Sequence, residues 1–250
     1  MTTGSIARVS GPIVKARGMA AAGLYDVVKV GKAGLIGEII RLEGDIATIQ
    51  IYEDNTMMRA GEPVEGQGKP LSVLLGPGLI GSIYDGIQRP LPVLKGLSGP
   101  MLAPGIEGDA LDVSRKWHFM PALAEGGRVG PGIVWGTIKE TESVMHRLVF
   151  DAATPEGKAA WVAPEGDYTI AEALVRAADG AEYRSASRWP VRKPRAFAQK
   201  LVPAEPLVTG LRVIDLLFPV AKGGCAAVPG GFGTGKTMTQ HAIAKWCDAD

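Results

Sequence analysis

Eight consecutive residues carry the clearest chemistry in the chain. Gly230-Gly231-Phe232-Gly233-Thr234-Gly235-Lys236-Thr237 fits the pattern G-x-x-x-x-G-K-[ST] at every fixed position. Glycine has no Cβ, so successive backbone N–H groups can turn toward one point and cradle phosphate oxygens. Lys236 adds a mobile positive charge for the β- and γ-phosphates of ATP, and Thr237 offers a hydroxyl to Mg2+. Both stand where a helix should begin, and the helix dipole favours an anion there. Upstream, Cys225-Ala226-Ala227-Val228 reads as a short apolar strand. Downstream, Met238, Ala242, Ile243 and Trp246 mark one helical face, so strand, loop and helix come in the order a phosphate site needs. Other reactive types are scattered. His118, His146 and His241 lie far apart, and no His/Cys/Asp group has metal-ligand spacing. Cys225 and Cys247 are expected to be buried structural thiols. No Ser-His-Asp or Cys-His arrangement emerges.

The elements that must position this loop change in character along the chain. Over 1–70, Ile6–Val9, Ile13–Lys15, Tyr25–Val30, Leu35–Ile40 and Ile46–Ile51 are strand-like runs separated by turn residues. In Ala47–Tyr52 the positions 47, 49 and 51 alternate with Thr48, Gln50 and Tyr52, giving one buried and one wetter face. Strands at such even spacing predict a small closed β-barrel, which also removes exposed edges; an open sandwich is the alternative. Residues 71–107 read as a connector packing on a nucleotide-binding domain. Leu71–Leu75 is an apolar run, Leu79–Gln88 has helical spacing at 79, 80, 83, 84 and 87, and Pro90, Pro92, Pro100 and Pro104 interrupt the remainder. Strand signals return over 108–189, at Trp117–Phe119, Ile133–Ile138, Met145–Phe150 and Ala159–Val162. One helix is expected there: Thr169 and Glu172 fit a capping box, Ile170, Leu174, Ala177 and Ala178 share a side, and Gly180 stands at the stop. This block predicts a separate, protruding β-rich insertion. Arg184, Arg188, Arg192, Lys193, Arg195 and Lys200 then come without an acid, with Pro190, Pro194 and Pro203 keeping the chain extended. That stretch reads as a solvated linker rather than a nucleic-acid arm, since Trp189 and Phe197 are too few aromatics for a stacking platform. Residues 190–250 would begin an α/β domain.

Composition bounds the rest. The chain has 250 residues, 34 Gly and 18 Pro, and 46% hydrophobic residues, enough apolar surface to exclude disorder throughout. A net charge of +1 predicts neither nucleic acid nor a membrane surface as a direct partner. The uncharged stretch Pro70–Tyr84 has 15 residues, fewer than the roughly 18–20 a spanning helix needs. The opening MTTGSIARVS lacks a secretory pattern, and two cysteines make no disulfide framework, so a cytoplasmic setting is expected.

With the loop placed, its flanks acquire a resemblance. Thr209-Gly210-Leu211-Arg212-Val213-Ile214-Asp215 and Phe218-Pro219-Val220-Ala221-Lys222-Gly223-Gly224, followed by the glycine loop, resemble the catalytic A subunit of V-type and archaeal A-type rotary ATPases. Three further stretches agree: Gly76 to Leu91 (GPGLIGSIYDGIQRPL), Lys116-Trp117-His118-Phe119, and Trp189-Pro190-Val191-Arg192. The resemblance runs from the N-terminus to Asp250 and implies mixed β and α/β architecture. It comprises an N-terminal β-barrel, a β-rich insertion or bulge domain, and the start of a P-loop, RecA-like nucleotide-binding domain. It further implies that Gly230, Gly231, Phe232, Gly233, Thr234, Gly235, Lys236 and Thr237 bind ATP, with Lys236 catalytic and Thr237 on Mg2+. Two positions depart from the family: Gly231 replaces a common Pro or Ala, and Thr234 stands where eukaryotic members carry a cysteine.

The function so implied is ATP hydrolysis or synthesis coupled to proton or sodium transport. The partners are the B subunit, in an alternating hexamer, and the central and peripheral stalk subunits. The barrel would join a collar and the insertion would meet the peripheral stalk, with the membrane reached only through the ion-transporting sector and no nucleic acid involved. The family subunit is more than twice as long, so the C-terminal half with its Walker B and water-orienting acids is expected to be missing, and the 250 residues alone to be inactive. Two rivals predict other behaviour. A hexameric nucleic-acid motor would need a basic barrel with exposed aromatics, whereas Tyr25 and Tyr52 are the aromatics of residues 1–70. A non-catalytic assembly or stalk-docking module would not bind nucleotide.

Overall fold

A computed structural model describes residues 2–195, 199 and 201–248. The chain divides into two compact units, Met1–Ala196 and Phe197–Asp250. Phe197, Lys200 and Asp250, all singled out above, lie outside the described residues.

The first unit opens with β1 (Thr3–Ser10), β2 (Ile13–Arg17), β3 (Asp26–Val30), β4 (Leu35–Glu43), β5 (Ile46–Ile51) and β6 (Pro63–Pro70). They close into a barrel in the order β1-β2-β5-β4-β3-β6, with β6 returning to pair with β1. Every pairing is antiparallel, and Ala47, Ile49 and Ile51 point into the core as their alternation predicts. Val14, Val28, Val30, Ile39 and Val64 fill the same interior. Strand β6 had no alternating signal in PVEGQGKP: Val64 is its one large inward side chain, and pairing on both edges holds the rest.

The connector departs from its expected form. Strand β7 (Ser72–Leu75) takes the apolar run, but Leu79–Gln88 is not helical, and helix α1 (Leu91–Ser98) forms among the prolines instead. Pro92 falls in the first turn of α1, where a missing N–H costs nothing. In 79–88 local acceptors compete with a helix: Asp85 takes the N–H groups of Ile87 at 3.1 Å and Arg89 at 2.8 Å, and Arg89 bridges Asp85 at 2.6 Å and Glu53 at 2.9 Å. Gln88 mimics a strand, donating to Leu74 O at 2.7 Å and accepting from Leu74 N at 2.6 Å.

The insertion contains β8 (Lys116–Pro121), β9 (Arg128–Val129), β10 (Val134–Lys139), β11 (Met145–Val149), β12 (Gly157–Val162), β13 (Gly166–Thr169), β14 (Ala173–Ala177), β15 (Glu182–Arg184) and β16 (Ser187–Pro190). Two four-stranded sheets, β11-β10-β8-β13 and β15-β14-β12-β9, share one core, while β16 pairs back to β7. Aromatic rings dominate that core: Phe119 lies 6.0 Å from Trp135 and 6.1 Å from Tyr168, and Phe150 lies 4.7 Å from Tyr183. The expected Thr169 helix is a strand turn instead. Glu172 does reach back to the Thr169 N–H at 2.6 Å, but the chain turns and continues as β14, where Leu174 and Val175 are fully buried against β12 and β15. Burial between sheets outweighs a local capping bond worth about 1 kcal/mol.

In the second unit β17 (Pro206–Leu207) pairs with β18 (Val220–Ala221), α2 (Arg212–Leu217) lies between them in sequence, and α3 (Lys236–Trp246) comes directly after the glycine loop. Residues 225–228 form no strand, because no neighbour among the described residues satisfies their backbone groups. Among the described residues no helix is long and apolar enough to cross a membrane.

Candidate nucleotide-phosphate site

The loop 230–237 is exposed apart from a half-buried Lys236, and it runs directly into α3. Gly235 takes the N-cap position in the left-handed conformation, φ 80°, which glycine adopts without steric cost. No side chain caps α3 and its first turn holds no acid, so its positive end faces outward uncompensated. The N–H groups of Gly233, Gly235, Lys236 and Thr237 meet no acceptor among the described residues. These are the donors a phosphate would need.

Side chains complete the cradle. Lys236 Nζ reaches across the loop to donate to the Gly230 carbonyl, and Thr234 Oγ1 donates to Gly231 O at 3.0 Å. Gly230 has φ 153°, and a Cβ built there would stand 2.5 Å from Thr234 Oγ1, so a larger residue would fill the space the loop encloses. The Thr237 hydroxyl has no protein partner among the described residues and stands on the first turn of α3, a position fit for a hard cation beside phosphate. Phe232 is wholly exposed at the loop tip.

At the C-terminal end of α3 is a clasp that motif reading passed over. Thr209, 1% exposed, donates through N at 2.9 Å and Oγ1 at 2.7 Å to Asp215 Oδ1, while Gly210 N donates to Oδ2 at 3.1 Å. The Thr209 hydroxyl makes the largest contribution among the hydrogen bonds that hold the Asp215 carboxyl below its usual range. Gly210 brings the backbone so near α3 that a Cβ would stand 2.8 Å from Trp246 Cβ. Lys222 pairs with Asp248 at 3.0 Å and Glu205 at 3.4 Å. All three described carboxylates of this unit, Glu205, Asp215 and Asp248, are thus already engaged. A threonine six residues before an aspartate at a helix start was the available signal.

The other candidates disperse. His118 Nδ1 and Nε2 face Asp167 at 2.9 Å and Glu165 at 3.2 Å, His146 faces Glu140 at 3.3 Å, and His241 lies on α3. No group of metal-ligating residues forms among the described residues. The cysteines are not the buried thiols expected: Cys225 is exposed and Cys247 half-buried, because neither the segment 225–228 nor the end of α3 enters a core. The helical face expected from Met238 and Trp246 is exposed, at 72% and 64%, with only Ala242 and Ile243 half-buried. Of the basic stretch, Arg184 pairs with Glu182 and Arg192 with Glu38 of the barrel, so it is partly anchored rather than merely solvated.

Comparison with known proteins sets the chain in a lineage. Residues 6–68 match the model of the ATP synthase alpha/beta family, beta-barrel domain, and residues 108–192 that of the ATPsynthase alpha/beta subunit barrel-sandwich domain. The chain is 52% identical over 250 residues to the A subunit of the A-type ATP synthase of Thermococcus kodakarensis, covering 98% of this chain and 43% of that protein. It is 50% identical over 248 residues to the corresponding A subunit of Staphylothermus marinus and 48% over 248 residues to that of Haloferax volcanii, covering 99% of this chain and 42% of each. The chain therefore spans less than half the length of the curated relatives it matches.

Proposed function

We propose, given that the chain belongs to the ATP synthase alpha/beta family, among the A subunits of the A-type enzymes, that Gly230–Thr237 holds the phosphates of Mg-ATP in a rotary ATPase. The observation that carries this reading is the set of unpartnered N–H groups of Gly233, Gly235, Lys236 and Thr237 at the uncapped start of α3. Four donors without acceptors among the described residues, next to one another in a loop that opens a helix, suit an anion. Lys236, released from the Gly230 carbonyl, would follow the β- and γ-oxygens, where negative charge develops as the phosphoryl group transfers. The Thr237 hydroxyl would supply one ligand to Mg2+, whose contribution when bound is to neutralise phosphate charge. The Gly210–Trp246 contact, with Gly210 itself fixed by the Asp215 carboxylate, holds the C-terminal end of α3.

In this reading the complete subunit hydrolyses or makes ATP and couples it to proton or sodium transport. It does so in an alternating hexamer with the B subunit, joined to central and peripheral stalks. It works on the cytoplasmic side and reaches the membrane only through the complex. The barrel aromatics Tyr25 and Tyr52 are committed to Arg192 and Glu38, which supports no nucleic-acid stacking surface. Mg-ATP titration of the complete subunit tests the site. Wild type should bind, and Lys236→Ala should bind at least about tenfold more weakly, the consequence of losing one charge-assisted contact. Equal affinity in the two would refute the assignment.

A further inference from the structure

Among the described residues Glu38 is the one carboxylate in the buried set, at 1% exposure. A carboxylate held away from water requires a partner, and this one comes from 154 residues along the chain. Arg192 places Nε 2.9 Å from Glu38 Oε1 and Nη2 2.5 Å from Oε2, fork against fork. Tyr52 OH donates to Oε2 at 3.0 Å, and the Tyr25 ring lies 4.4 Å from the guanidinium carbon. Tyr25 has φ 67°, a left-handed conformation that costs a bulky side chain energy, and its N–H donates to Ile39 O at 2.8 Å on the strand that carries Glu38. The strain and the buried charge serve one point.

The segment that Arg192 belongs to is otherwise lightly held. Val191 N donates to Leu71 O at 2.9 Å, and Trp189 Nε1 donates to Lys193 O at 2.6 Å. Lys193 Nζ and the Arg195 guanidinium lie 4.9 Å and 4.3 Å from the Trp189 ring centre. Beyond Arg195 the chain passes to the second unit.

We propose that Glu38, Tyr52 and Tyr25 form a guanidinium receptor on the barrel wall, and that Arg192 seated in it is a releasable latch on the strap Val191–Arg195. A planar cation suits the site because it meets two carboxylate oxygens at once while presenting a face to an aromatic ring; an ammonium cannot do both. The Arg192 side chain is 52% exposed while that of Glu38 is 2% exposed, so opening proceeds from the arginine side into water. With the latch shut, the strap is fixed to the barrel. With it open, Val191–Arg195 keeps only its backbone and Trp189 contacts.

Limited trypsin digestion of the full chain reads this directly at the Arg192–Lys193 bond; the next bond, Lys193–Pro194, resists the protease. Wild type should be cut slowly there, and so should Glu65→Gln, a change at an exposed barrel carboxylate. Glu38→Gln should be cut about tenfold faster, the expected effect of losing one charge-assisted pair. Arg192→Lys keeps the charge and the cleavage site but loses the fork, and should be cut faster at the same bond. A thermal melt verifies that the barrel remains folded in each variant; should Glu38→Gln fail to fold, Arg192→Lys decides alone. Unchanged cleavage in the folded variants, or wild-type cleavage as fast as theirs, overturns the latch.

Discussion

The residues of the glycine loop divide between those whose size matters and those whose chemistry matters. Gly230→Val in the complete subunit should weaken Mg-ATP binding at least about tenfold, because its Cβ would enter the space taken by Thr234 Oγ1. Gly231→Ala should bind nearly as wild type, since a Cβ there meets nothing within 4 Å; nucleotide titration of both variants checks the contrast. Glu38 supplies a pH test at the same scale. The Arg192 hydrogen bonds hold its carboxyl below the usual carboxylate range despite the opposing effect of burial. A carboxyl with a depressed folded-state pKa stabilises above its unfolded pKa, and that stabilisation is lost as pH falls through the folded value. Wild-type melting temperature should therefore fall more steeply than that of Glu38→Gln as pH drops below about 4.5. Parallel curves for the two proteins would show that the pair contributes nothing to acid sensitivity.

Elements show where local signals prevail and where packing overrides them. Leu174 is fully buried on β14 between the sheets of the insertion, so Leu174→Ala should cost about 2–5 kcal/mol in denaturant unfolding. A loss under about 0.5 kcal/mol would belong to a surface position and contradict the sandwich. That same segment is where sequence reading failed, and the reason is physical. A capping box and helical spacing are local features, whereas pairing with β12 and β15 and burial in a core shared with Trp117, Phe119 and Trp135 lie outside any one helical window. Strands β2 and β5 were legible because their alternation faces one interior, β4 because it opens as an apolar run, and α3 because a glycine precedes a run of helix formers. Strand β6 was not, since its neighbours rather than its side chains hold it, and 225–228 read as a strand that among the described residues has no partner to pair with. At the candidate site the glycine loop and the helix that follows it were plain from spacing alone. The Thr209–Asp215 clasp and the barrel receptor for Arg192 were not, because hydrogen bonds and long-range ion pairs leave no period in sequence.

For the molecule as a whole, holding phosphate and transferring it make different demands. Transfer needs the phosphates held, Mg2+ held from both sides and an attacking water oriented. In the proposed reading the glycine loop addresses the first and Thr237 part of the second. Of the carboxylates described in the second unit, Asp215 is bound to Thr209 and Gly210, while Glu205 and Asp248 share Lys222, which leaves none to orient water. Residues 1–250 alone should therefore show no sustained phosphate release with excess Mg-ATP, and turnover abolished by Lys236→Ala would contradict this. The central claim, that this loop is the phosphate-binding part of a rotary ATPase catalytic subunit, is tested most directly by ATP turnover of the complete subunit within its assembled complex. Lys236→Ala should reduce phosphate release by on the order of 10²–10³, the loss expected for one charge aimed at the transferring phosphoryl group. Near-wild-type release by that variant would contradict the claim.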